Sequence, residues 1–225
     1  MFLHYHPYKP FLFKEATKLI VGTLPPPRFT LKALKPDDVD FCYGSRDGQL
    51  WRILDMIFDL DLKYETTERA VQQRKEFLKS QKIGICDIVE SAQRDKIDAS
   101  DLGMKHVKLR NLIAYLRQYP NVDTLLFTGG NSKNGPEYFF RKLLKEHRLK
   151  LHVVSDEVPR IHEFELSEKV GDKMISRKIK TVSLTAPSGA ANRAVGSLNS
   201  YKKLKDKNPD FTTIDFRVMQ YRSFF

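Results

Sequence analysis

Two short loops near opposite ends of the sequence carry residues suited to holding a ligand rather than filling a core. Gly22-Thr23-Leu24-Pro25-Pro26-Pro27 follows the apolar run Leu19-Ile20-Val21. Pro187-Ser188-Gly189-Ala190-Ala191-Asn192-Arg193 follows Thr181-Val182-Ser183-Leu184. Gly22 permits close approach to the backbone, and the three prolines form a stiff wall. A Ser188 hydroxyl, a Gly189 amide and a helix start suit a phosphate oxygen, although Ser188 also fits a plain N-cap. Between the loops lie Asp40-Phe41-Cys42-Tyr43-Gly44-Ser45-Arg46-Asp47-Gly48-Gln49-Leu50-Trp51. Phe41 or Tyr43 could stack on a flat ligand, while Trp51, at helical spacing with Leu50 and Leu54, reads as core. Asp47 precedes a helix and reads as a cap or as a working carboxylate. Asp87, directly after a buried run, points into a pocket or into a turn.

Other chemistries lack their residues. There is no P-loop, no Gly-x-Gly-x-x-Gly, no His-Glu-x-x-His and no Cys/His cluster at metal-ligand spacing. His4 and His6, in an extended N-terminal segment, read as surface histidines before metal ligands. Ser188 is not in a nucleophile-elbow sequence. Cys42 and Cys86 cannot build a disulfide framework and are expected to be buried free thiols.

The elements that must position these residues follow from periodicity. Strands are expected at Lys18–Val21, Ile83–Cys86, Thr124–Phe127 and Leu151–Val154. Helices are expected at Gln49–Phe58, Thr66–Gln81 with Thr67 as N-cap, Lys108–Tyr119, Pro136–His147 and Asn192–Lys207. Residues 23–47 and Asp87–Met104 read as long polar loops. Arg160–Leu166 and Lys173–Leu184, around Val170-Gly171-Asp172, read as a β-hairpin. Strands separated by helices imply an α/β domain with a mostly parallel sheet covered on both faces. Residues 1–225 are expected to form one domain, with 1–17 an extended segment and 158–184 an added hairpin. Ligands of such sheets sit beyond the carboxyl ends of the strands. That selects loops 22–48, 87–107, 128–135 and 185–193.

The net charge is +11 over 225 residues. Residues 37 to 68 hold nine acids and three bases, so the remainder carries +17. Basic clusters fall at 141–150, 169–180 and 193–207. Such a balance suits a polyanionic partner, or a plain solvated surface. No apolar run approaches a membrane span, and the start has no basic region followed by an apolar stretch. The expectation is a cytoplasmic monomer without membrane contact.

Taken in order, Gly22-Thr23-Leu24-Pro25-Pro26, the stretch from Tyr43 to Trp51, Ile85-Cys86-Asp87-Ile88-Val89 with Arg94, and Pro187-Ser188 with Ala191-Asn192 resemble the uracil-DNA glycosylase superfamily. The branch of mismatch-specific uracil and hypoxanthine-DNA glycosylases is the most similar. The resemblance spans roughly residues 18 to 205. It implies a three-layer α/β/α domain with a short parallel sheet. It implies a metal-free and cofactor-free hydrolase that flips a damaged or deaminated base from DNA and cleaves its N-glycosidic bond. By that resemblance, Gly22, Thr23, Leu24 and Pro25 line the base pocket, Tyr43 stacks, and Asp87 reads the base edge. Ser188 and Gly189 hold phosphate, and the loop through Asn192 and Arg193 forms a wedge. Many relatives carry Asp or Asn where this chain has Leu24, and several carry His where it has Ala186. The hypoxanthine-type branch uses an Asn at the place of Gly48, which leaves neighbouring Asp47 as the candidate catalytic carboxylate. Competing readings are a catalytically silent nucleic-acid-binding protein and a nucleotide or phosphosugar hydrolase.

Overall fold

The computed structural model describes the backbone of residues 1–225 and all side chains except those of Lys169 and Val170. The main sheet has six strands in the order β3-β2-β6-β9-β8-β7. Strands β2 (Lys18–Val21), β3 (Ile83–Ile85), β6 (Thr124–Phe127) and β9 (Lys173–Ser183) run parallel. Strands β8 (Arg160–Val170) and β7 (His152–Ser155) extend the sheet antiparallel, β8 against β9 and β7 against β8. Residues 158–184 are therefore not an appendage. Their second strand pairs with β6 and sits inside the main sheet.

Alternation along the central strands explains why helices cover both faces. Leu19, Val21, Leu125 and Phe127 point into one apolar cluster, with Leu112, Ile113 and Leu116 of α4 (Leu112–Gln118) and Phe139, Phe140, Leu143 and Leu144 of α5 (Pro136–Glu146). Ile20, Leu126 and Val182 point into the other, with Leu50, Trp51, Ile53 and Leu54 of α2 (Leu50–Phe58) and Ala70, Val71, Phe77 and Leu78 of α3 (Glu68–Ser80). Strands buried on both faces are apolar along their buried lengths, as residues 19–21 and 125–127 are. Thr67 caps α3 through the Ala70 amide.

A second sheet departs from the sequence expectation. β1 (Phe2–Tyr5), β4 (Val89–Arg94) and β5 (Lys105–Leu109) form an antiparallel sheet in the order β1-β4-β5. The stretch 87–104 thus contains a strand, and the helix expected from Lys108 starts only at Leu112. Irregular pairing with β5 breaks the alternation of β4, in which Val89, Ala92 and Arg94 are buried. The N-terminal segment belongs to this sheet, so His4 and His6 are buried rather than on the surface.

Smaller differences follow from caps. Pro27 opens a one-turn helix, α1 (Pro27–Thr30), inside the expected loop. The expected helix 192–207 is two, α6 (Asn192–Ser197) and α7 (Asn199–Lys207), broken where Leu198 adopts extended backbone. A last helix, α8 (Thr213–Arg222), begins with a Thr212/Asp215 capping box. Among the described residues, no helix is long and apolar enough to cross a membrane.

Candidate functional site

Parallel pairing continues past the strand ends and draws the first two loops together. The Ile88 amide donates to the Gly22 carbonyl at 2.9 Å, and the Thr128 amide to the Val21 carbonyl at 3.0 Å. Asp87 is thereby held beside Gly22, and its carboxylate is 5% exposed. Oδ1 accepts the Gly22 amide at 2.7 Å and the Tyr43 hydroxyl at 2.8 Å. Oδ2 lies 2.9 Å from His6 Nε2. A carboxylate offers no proton, so His6 donates from Nε2, while its Nδ1 lies 2.9 Å from the Tyr8 carbonyl oxygen and 3.2 Å from the Tyr8 amide. Thr128 Oγ1 lies 3.1 Å from the Tyr43 hydroxyl. Burial, then the Asp87 charge, pushes the Tyr43 phenol well above its ordinary range, so it stays a donor.

Gly22 is required here by space. A Cβ on it would lie 2.3 Å from the Tyr43 hydroxyl and 2.9 Å from Asp87 Oδ1. Tyr43 reaches the cluster from left-handed backbone, φ +58°, at a cost of about 1–2 kcal/mol for a residue with a side chain. The cluster fixes its ring by the hydroxyl.

The loop that carries Tyr43 is built around a buried acid and an arginine fork. Arg28 Nε and Nη2 donate to Asp38 at 2.7 and 2.8 Å, and the Lys35 and Arg46 amides donate to the same carboxylate. Burial alone would raise the Asp38 carboxyl, but these donors outweigh it and hold it below its ordinary value. Arg28 Nη2 also reaches Asp47 at 3.1 Å, and the Asp47 side chain is 68% exposed. Asp47 therefore stands at the surface as the partner of Arg28, outside the buried cluster. Leu24 packs against the first apolar cluster.

The far loop joins the near one directly. Gly48 and Ser188 form an antiparallel bridge, and the Gln49 amide donates to the Pro187 carbonyl at 2.8 Å. Helix α8 supports this loop from below. Fully buried Arg217 donates to the carbonyls of Ala186 and Ser188 and, at 2.8 Å, to Asn192 Oδ1. Gln220 accepts the Thr185 amide and hydroxyl, and the Tyr221 hydroxyl donates to the Thr185 carbonyl. Asn192 is thus tied inward, whereas Gly189, Ala190 and Arg193 are exposed. Ser188 makes no side-chain cap bond.

A second carboxylate adjoins the pocket loop. Thr23 donates to Asp101 Oδ1 at 2.8 Å. Asp101 opens a short 3₁₀ turn, Asp101–Gly103, which Asn134 clamps through the carbonyls of Asp101 and Met104. Arg94 holds the preceding Ser100 carbonyl and contacts His4 Nδ1 at 2.8 Å. Burial raises the Asp101 carboxyl to about 6, with Asp87 adding to the rise and Thr23 and Arg94 opposing it. Burial and the Arg94 charge lower the His4 imidazole to about 4. Both cysteines are buried and free, and burial raises both thiols, Cys86 to about 12. Neither is a nucleophile at neutral pH.

Of the residues selected from sequence, Gly22, Tyr43 and Asp87 meet at one buried node, and Thr23 adjoins it. Leu24 is half-buried against the first apolar cluster, and Pro25 is half-buried on the same loop. Asp47, Ser188, Gly189, Asn192 and Arg193 form an outer set, linked to Tyr43 through residues 43–49. The sequence reading missed His6, Asp38, Thr128, Asp101 and Arg217. Thr212-x-x-Asp215 signalled the helix of Arg217, but only long-range pairing brings the others to the site. Two clefts of about 560 Å³ open on the surface, one lined by Arg148, Lys150 and Glu163, the other, beside the Asp101 turn, by Met104, His106, Lys133, Asn134 and Lys142. Among the described residues, no group of three or more His, Cys, Asp or Glu could hold a metal ion. Comparison with known protein families, curated proteins and solved structures finds no match to this chain.

Proposed function

We propose that this chain is a DNA glycosylase that hydrolyses the N-glycosidic bond of a deaminated base, uracil or hypoxanthine, turned out of DNA. The observation that carries the reading is the meeting of loops chosen for their motifs. Asp87 Oδ1 joins Gly22 to Tyr43, and the Gly48–Ser188 bridge joins that loop to the exposed Gly189–Arg193 segment. The two apolar clusters on opposite sheet faces are in keeping with a three-layer α/β/α frame.

In this reading Gly22 to Pro25 and Tyr43 enclose the base. Asp87 positions Tyr43 and the Gly22 amide, and its Oδ2 retains a lone pair for a base-edge donor. Ser188 and Gly189 take phosphate, and Arg193 enters the vacated stack. Glycosidic cleavage passes through a cationic, oxocarbenium-like sugar, which a nearby carboxylate stabilises while water adds. Asp47, beside the bridge, is the carboxylate assigned to that task. Loss of one such group costs roughly 10²–10³-fold in rate. The Asp47→Asn variant should lose that much single-turnover activity on uracil- or hypoxanthine-containing duplex, and unchanged activity removes Asp47 from the mechanism.

A second reading, a silent nucleic-acid-binding protein, is favoured by the exposure of Asp47 and its pairing with Arg28. It predicts salt-dependent DNA affinity with no abasic product from any substrate.

A further inference from the structure

Two consecutive residues of the pocket loop hold two different carboxylates. The Gly22 amide holds Asp87, and the Thr23 hydroxyl holds Asp101. One loop therefore ties down both acids, and the Asp87 charge acts on Asp101. Their surroundings differ in kind. Asp87 accepts three protein hydrogen bonds across both oxygens. Asp101 accepts one, on Oδ1, and its Oδ2 has no partner among the described residues and is not a sealed, unsatisfied atom. Its backbone is nevertheless fixed, by Asn134 on one side and the Arg94–Ser100 contact on the other. A carboxyl with one oxygen pinned, the other open and the main chain clamped is built to exchange a proton with something that enters.

We infer that Asp101 is the proton donor to the departing base in the reaction proposed above. The inference rests on that reaction. The C1′–N bond breaks with its electron pair going to the base. The Asp101 carboxyl proton goes to a base heteroatom, a ring nitrogen for hypoxanthine or a carbonyl oxygen for uracil. Water adds its hydroxyl to C1′ and returns its proton to the Asp101 carboxylate, so the acid is restored. Asp47 serves the sugar cation, and Asp101 the leaving group.

The electrostatics agree with the geometry. The charged groups acting on Asp101 are Arg94 on β4, which opposes the rise, and Asp87 after β3, which adds to it. With burial they bring the carboxyl to about 6, close to the range where a general acid works best. Asp101 is protonated below that value and loses its proton above it, so the rate should fall as pH rises through about 6.

Three measurements test the inference. Asp101→Asn should cut single-turnover cleavage of a hypoxanthine duplex by roughly 10²–10⁴-fold and abolish the fall in rate above pH 6, while Asp101→Glu restores part of both. Wild-type rate or an unaltered pH profile in the Asn variant overturns it. A carboxyl-carbon NMR titration of the free protein needs no substrate and guards against a variant that fails to fold. A midpoint near 6 for Asp101 supports the inference, and an ordinary carboxylate midpoint overturns it while leaving the glycosylase reading intact. If wild-type protein releases no base from any duplex, the glycosylase reading fails, and the inference fails with it.

Discussion

A single hydrogen-bonded node, Asp87 with Gly22, Tyr43 and His6, ties the proposed function to the stability of the fold. Replacing Asp87 by Asn sets an amide N–H group against one of three donors. Leaving a buried donor unpaired costs about 1–3 kcal/mol, so Asp87→Asn should unfold at lower denaturant and lose base release. Gly22→Ala should be as damaging, because overpacking by one methyl against the Tyr43 hydroxyl forces the node apart, at about 1–3 kcal/mol. Two titrations set opposite pH limits. Asp101, raised to about 6, adds stability at low pH that is lost as pH climbs through its folded value. Asp101→Asn should therefore be more stable than wild type at pH 8 than at pH 4, by at most about 3 kcal/mol. His4, lowered to about 4, adds stability above its ordinary 6.5 that is lost as pH falls from there towards 4. Chemical denaturation across pH reads both. Position after a strand marked Gly22 and Asp87, and aromatic character within the long loop marked Tyr43 as a stacking candidate beside Phe41. The sequence could not announce His6 or Asp101, because an ordinary-looking histidine and one of several acids in a polar stretch gain meaning only from strand pairing and burial.

Elements decide how the outer loop is held. α8 is bound to residues 185–192 through Arg217, Gln220 and Tyr221. Arg217→Ala should release that loop, cost about 3 kcal/mol, and weaken duplex binding while leaving the Asp87 node intact. Protection of the 186–192 amides from hydrogen exchange checks it, and unchanged protection would refute the support. Strong apolar periodicity made β2, β6, α2, α3 and α5 readable from sequence. The β1-β4-β5 sheet was not readable, since its strands are short and largely polar and the central one, β4, takes one of its partners from the distant N-terminal strand. Thr212-x-x-Asp215 was a readable start signal for α8, but the helix, Thr213-Ile214-Asp215-Phe216-Arg217-Val218-Met219-Gln220-Tyr221-Arg222, has almost no apolar stripe because its buried face holds Arg217 and Gln220.

On the scale of the whole molecule, the net charge of +11 and the acidic stretch at 37–68 give an uneven surface. In the proposed function, the logarithm of duplex affinity should fall linearly with the logarithm of salt concentration, and Arg193→Ala should reduce that slope by about 1. Fluorescence anisotropy with a labelled duplex measures it, and a slope unchanged by the substitution would remove Arg193 from the interface. The α/β class with helices on both faces was legible because strands buried on two sides must be apolar. The rank of β9 within the sheet was not, since its polar outer half resembles a detached hairpin. Base release is the most direct readout of the proposed function. Wild-type protein and Asp87→Asn should be incubated with duplexes that each carry one uracil or one hypoxanthine, and abasic sites scored by alkaline strand cleavage. The predicted result is cleavage at the modified position by wild type and its loss in the variant. Intact strands with wild type on both duplexes would contradict the account.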